Sequence, residues 1–125
     1  MKISSGSPFE AAIGLSRARR VGPVIAVAGT APLGADGKNP HAGDVYAQTK
    51  RCLDITRAAI EAAGGTLAQV TRTRVMLVDM TRWQEAARAH GEMFGEHRPA
   101  CTFVEVSRFI DPEWLVETEA DAYVE

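Results

Sequence analysis

Two stretches of this chain set chemically capable residues at the ends of strand-like runs. The first is Arg98-Pro99-Ala100-Cys101-Thr102, where a stiff Arg-Pro bend aims a thiol and a hydroxyl at the rim of a sheet. A thiolate there is a nucleophile, but no base is fixed beside Cys101 by sequence, so a half-buried, inert cysteine is the plainer reading. The second is the alternating run ending in Val124, which turns Glu117, Glu119 and Asp121 to one face and Val116, Thr118, Ala120 and Ala122 to the other. Cross-strand pairing with Arg17 and Arg19, or with Arg72 and Arg74, accounts for Glu119 and Asp121. Glu117, nearest the strand start, is the better candidate for a site.

The remaining reactive types have simpler readings. His90 lies on the apolar face of a helical pattern, where a tucked imidazole with one satisfied nitrogen is commoner than a base. His41 and His97 fall in loops without partners. Cys52 sits within an apolar helical stripe and reads as a small core hydrophobe. The two cysteines have neither metal-ligand nor disulfide-framework spacing, so no metal or cofactor is expected.

The elements that must position these residues follow from pattern. Residues 1 to 15 carry Ser, Gly and Pro punctuation and read as an irregular arm. Ser16 to Val21, the pair Gly22-Pro23 and the run Val24 to Ala28 form a predicted hairpin. Residues 31 to 43 are a loop dense in turn formers. Asp44 caps a long helix over Val45 to Ala63, which Gly64-Gly65 stops. Thr71 to Val78 alternates as a strand. Thr81 and Gln84 form a predicted capping box for a second helix whose face carries Trp83, Ala86, Ala87, His90 and Phe94. Cys101 to Val106 and Leu115 to Val124 complete a ββαβαββ-like order. The fold class is α+β, a mixed sheet with two helices on one face, in a single domain over residues 1 to 125. The run Val24 to Ala28 looks buried on both sides, so something must cover the helix-free face, and a second copy of the chain is the economical cover.

Totals restrict the function classes. A 125-residue chain, 46 % apolar, buries one modest core. Its formal net charge of −2 leaves no basic excess to hold a phosphate backbone, so nucleic acid is not expected as a partner. No run approaches a membrane span and no apolar run follows a basic start, which points to a cytoplasmic protein.

Taken together, several short motifs resemble the RidA family, also called YjgF-type or L-PSP endoribonuclease. They are Ala12-Ile13-Gly14, Val27-Ala28-Gly29-Thr30-Ala31-Pro32, Ala62-Ala63-Gly64, Val75 to Met80, Arg98-Pro99-Ala100, Val104-Glu105-Val106 and Val116 to Ala120, in family order along almost the whole chain. The resemblance implies a chorismate-mutase-like fold assembled as a homotrimer with clefts between subunits. In members that deaminate, an arginine after the Pro-Ala pair grips the carboxylate of an imine or enamine while water attacks the C=N carbon. Here that position is Cys101. A thiol offers neither charge nor fork, and each charge-assisted hydrogen bond contributes roughly 1.5–3 kcal/mol. The family's tyrosine after the Ile-Gly pair falls where this chain has Leu15 and Ser16.

What the resemblance carries over is Gly29, Thr30, Ser16, Cys101 and Thr102 as substrate-binding positions, with Glu117 as a water-orienting acid. Arg98 is a further candidate anion anchor, though Pro99 opposes an easy swing. The expected function is binding of a small imine, carbonyl or carboxylate metabolite, with standard 2-imino-acid deamination weak or absent. One alternative is hydrolysis of another imine, enamine or electrophile through Glu117-oriented water or Cys101. Another is a non-catalytic binding or chaperone-like surface. Ribonuclease action, suggested by the older family name, is disfavoured by the negative charge and the scattered arginines.

Overall fold

A computed structural model describes residues 1–125. Six strands, β1 (Lys2–Ile3), β2 (Ala18–Val21), β3 (Val24–Thr30), β4 (Val70–Leu77), β5 (Ala100–Glu105) and β6 (Val116–Tyr123), form one sheet in the order β1-β2-β3-β6-β4-β5. Every neighbouring pair is antiparallel except β4 and β5, which run parallel. That parallel pair is joined through α3 (Trp83–Phe94), while α2 (Val45–Ala62) links β3 to β4. The expected α+β class, a mixed sheet with helices on one face, is what the chain adopts.

The apolar stripe of α2 seats Leu53, Ala59, Ile60 and Ala63 against Ile25, Val27, Ala120 and Ala122 of the sheet. A second cluster joins Val45 and Cys52 to Val75, Leu77, Ala86 and Val116. Cys52 is fully buried, and burial drives its thiol pKa well up, so it is core. The Asp44 carboxylate accepts from Ala47 N at 2.9 Å and caps α2.

Three local expectations are corrected. The arm is ordered: β1 pairs with β2, and a short helix α1 (Pro8–Ile13) follows the Ser7 cap. Its anchor is Glu10, which is buried and accepts from Ser5 N and Ser5 Oγ at 3.0 and 2.7 Å. Burial raises that carboxyl's pKa, but these hydrogen bonds outweigh it and bring it below the ordinary range. The second helix is not capped by Thr81 and Gln84. Asp79 instead accepts from Thr81 N and caps a single 3₁₀ turn, Met80–Arg82, that leads into α3. Trp83 consequently lies outside the buried face, at 47 % exposed.

The run Val24 to Ala28 is buried on one side only. Ile25 and Val27 face the helices, while Val24 and Ala26 are exposed on the opposite face of the sheet.

The stop of α2 is a Schellman motif: Gly65 N donates to Ile60 O at 2.9 Å and Gly64 N to Glu61 O at 3.0 Å, with Gly64 at φ 90°. A side chain there is strained by the left-handed backbone and would start 2.7 Å from Arg20 Nη1. Gly64→Ala is therefore expected to lose about 1–2 kcal/mol of stability in urea denaturation. An unchanged midpoint would show that the turn relaxes without cost.

Candidate functional site

The site is built where β2, β3 and β6 meet the N-terminal arm. β2 pairs with β3 through a two-residue turn with Gly22 at φ 58°, a value that glycine adopts readily. At the far end of β3 the pairing with β6 slips: Val27 faces Ala120 and Thr30 faces Thr118, so Ala28 and Gly29 together oppose Glu119. This bulge turns the Gly29 carbonyl out of the ladder. Arg17, immediately before β2, takes it up, with Nη1 donating to Gly29 O at 2.6 Å and to Thr30 Oγ1 at 2.9 Å. Thr30 Oγ1 donates in turn to Ala28 O at 2.8 Å.

Glu117 comes into the same place from β6. A Cβ on Gly29 would lie 3.2 Å from Glu117 Oε1, so the absence of a side chain at Gly29 gives that carboxyl its room. Burial raises the Glu117 pKa, and the nearby Arg17 charge partly opposes the rise. Arg17 is itself buried, which lowers its pKa against the through-space attraction of Glu10 and Glu117.

These groups line a cavity of about 480 Å³ shared with Phe9, Arg51, Ile110 and Trp114. Phe9 meets Trp114 edge to face, with ring centroids 5.8 Å apart, so α1 closes one wall against the loop before β6. Sequence reasoning missed Phe9 and Trp114, because no pattern signals a contact between residues so far apart in the chain. No group of three His, Cys, Asp or Glu side chains converges in a metal-ligating arrangement.

Of the predicted site residues, Gly29, Thr30 and Glu117 are brought together in this cavity. Ser16 lies in a separate, open depression beside Lys2, Arg19 and Ala26. Cys101 and Thr102 sit on β5, the edge strand, and are exposed because no strand lies beyond them. The half-buried state expected for Cys101 is thus corrected to an exposed thiol within the chain. Arg98 is also exposed and adopts a left-handed backbone, φ 53°, before Pro99.

Three strand spacings of roughly 4.8 Å separate β3 from β5, about 14 Å in all. Cys101 pairs with Thr73, whose Oγ1 is 2.8 Å from His90 Nε2 on α3, so the thiol faces the helices. Glu117 is on the opposite face. Within one chain the two groups do not meet.

The other acids of β6 are accounted for locally. Glu119 forms an ion pair with Arg74, and Asp121 stands opposite Arg72 in register. His90 stacks on Phe94, with ring centroids 4.8 Å apart, and burial lowers its pKa.

One mixed sheet, helices on one face and a cavity at the bulged β3–β6 end define an α+β protein of the chorismate-mutase-like class. Residues 6–124 match the family model described as Endoribonuclease L-PSP. A Mycobacterium tuberculosis structure, Rv2704, described as a member of the highly conserved YjgF/YER057c/UK114 family, superposes with TM-score 0.90 at 46 % identity, over 99 % of this chain and 98 % of that one. The Escherichia coli YjgF gene product gives TM-score 0.86 at 29 % identity, over 100 % and 98 %. A RutC family protein of Pyrococcus abyssi is 38 % identical over 88 % of this chain and 86 % of its own length. The chain belongs to the L-PSP endoribonuclease family and is a RidA-type protein.

Because burial raises the Glu117 pKa above its unfolded value of about 4.3, the folded state binds more protons and stability declines as pH rises through the raised pKa. Glu117→Gln, neutral throughout, is expected to gain stability relative to wild type between pH 4 and pH 7.5 in urea denaturation. Parallel pH profiles for the two proteins would refute this.

Proposed function

We propose that this protein binds a small imine, carbonyl or carboxylate metabolite in a cleft between copies of the chain, and hydrolyses standard 2-imino acids weakly or not at all. The observation that carries this reading is the separation of two half-sites. Gly29, Thr30 and Glu117 share a cavity, whereas Cys101 and Thr102 stand on an edge strand about 14 Å away and Cys101 faces the other side of the sheet. A site using both needs β5 of one copy set against the cavity of the next. A closed ring of three copies repeats that contact without leaving an unpaired surface. The exposed apolar side chains of Val24 and Ala26 on the helix-free face support burial of that face in such an assembly.

The chemistry at each half-site differs. Glu117, with its pKa raised, is suited to hold a water against a C=N carbon and to exchange its proton with the departing nitrogen. At the β5 side, Cys101 offers no cation where family deaminases grip a carboxylate, so the standard imine is held poorly for attack.

Cys101→Arg is therefore expected to raise kcat/KM for 2-iminopropionate hydrolysis at least about tenfold, the equivalent of one charge-assisted hydrogen bond. A wild type as fast as the variant would remove the claim that the missing arginine limits the reaction. Sedimentation is expected to give three times the 13.5 kDa chain mass. A monomer would remove the shared cleft.

A further inference from the structure

Gln48, near the start of α2, is fully buried, and both ends of its carboxamide are engaged. Oε1 accepts from Leu115 N at 2.8 Å, while Nε2 donates to His41 O at 2.9 Å and to Glu113 O at 3.2 Å. Two donors and an acceptor on one neutral group are what a primary amide supplies, and a carboxylate of the same size lacks the donors. The amide therefore ties α2 to the loop before it and to the loop before β6. Both loops line the cavity, one through Leu33 and Gly34, the other through Ile110 and Trp114.

Glu113 and Leu115 flank Trp114, so the backbone is gripped on either side of that residue. Nothing polar holds the indole itself, because Trp114 Nε1 is buried without an acceptor. Its edge-to-face neighbour Phe9 belongs to α1, no residue of which joins either core cluster. The ring thus takes its place from its backbone, and Gln48 ties that backbone to the core. Trp114 N to Asp111 O at 3.1 Å and Asn39 Nδ2 to Glu113 O at 3.2 Å only bind the loops to themselves and to one another. One turn further along α2, Cys52 Sγ lies 3.8 Å from Val116 O. Residues i and i+4 of one helix face accordingly hold consecutive residues at the start of β6, just before Glu117.

We propose that Gln48 is a positioning residue for the cavity: by holding the backbone on both sides of Trp114 it keeps the indole in place as a wall and fixes where Glu117 enters. This rests on the reading of the cavity as the ligand site and adds the residue that sets its shape. Gln48 does not line the cavity and acts through Trp114 and β6.

The chain has two tryptophans, and Trp83 is exposed, so a Trp83→Phe background leaves Trp114 as the reporter. In that background Gln48→Met keeps the bulk and removes all three hydrogen bonds. It is expected to shift Trp114 emission to the red and to make it more readily quenched by acrylamide, in protein that still unfolds cooperatively in urea. Unmoved emission and quenching in folded Gln48→Met overturn the proposal. The second readout is hydrolysis of 2-iminopropionate. Adding Gln48→Met to Cys101→Arg is expected to lower kcat/KM at least about tenfold, whereas adding Gly64→Ala, which destabilises the fold away from the cavity, leaves it unchanged. Equal losses in the two double variants reduce Gln48 to a structural role and overturn the proposal. No hydrolysis by Cys101→Arg alone overturns the reading of the cavity beneath it, and the emission of Trp114 still decides the clamp. If Gln48→Met does not fold, Gln48→Glu, which keeps an acceptor for Leu115 N but has no N–H for Glu113 and His41, is read in the same way.

Discussion

A guanidinium taken out of water must be met by acceptors, and Arg17 is met by the backbone of a bulge rather than by a carboxylate. That choice organises the end of the sheet. The bulge offers the Gly29 carbonyl because two residues of β3 are set against one of β6. Gly29 has no side chain, so Glu117 fits beside it, and Glu117 and Arg17 act on one another through space. The arm follows from the same geometry, since Glu10, held by Ser5, adds a second distant negative charge to the arginine's surroundings. Each of these residues is ordinary alone; together they set a buried cation near a half-buried acid at one pocket.

Much of the framework is legible in the sequence because it depends on periodicity. The alternation through β6 and β4 separates faces as read, and the α2 stripe reaches the core with its cap and stop where the residue types put them. What is not legible depends on contacts between distant segments. The arm looks irregular because its order comes from β1 pairing with β2 and from Glu10 accepting from Ser5, neither of which leaves a periodic trace. Asp79 displaces the expected Thr81 cap because a 3₁₀ turn intervenes between β4 and α3. The site divides in the same way. Glu117, Gly29 and Thr30 are recognisable from motif order, but Phe9 and Trp114 become neighbours only through the fold.

The family framework is retained in this chain with different chemical contents. Where the resemblance leads one to expect an arginine on β5, the chain has an exposed thiol. Where it leads one to expect an aromatic ring after Ile13-Gly14, it has Leu15 and Ser16, and Ser16 opens to a different depression. The next residue along, Arg17, instead lines the cavity together with Arg51 of α2. A shift of one residue at the start of β2 is enough to exchange a wall for a charge, because alternate residues leave the strand in opposite directions.

The position of β6 also governs how the molecule comes together. β2 and β3 are close in sequence, and β4, α3 and β5 form another contiguous unit, but the two are joined only when β6 slides between β3 and β4. Until then each half-sheet presents an unpaired edge, and the pairing that closes them links residues almost the full chain apart, as in Ile25 with Ala122. The central pairing of the sheet is therefore also its longest-range one, a topology of the slowly forming kind.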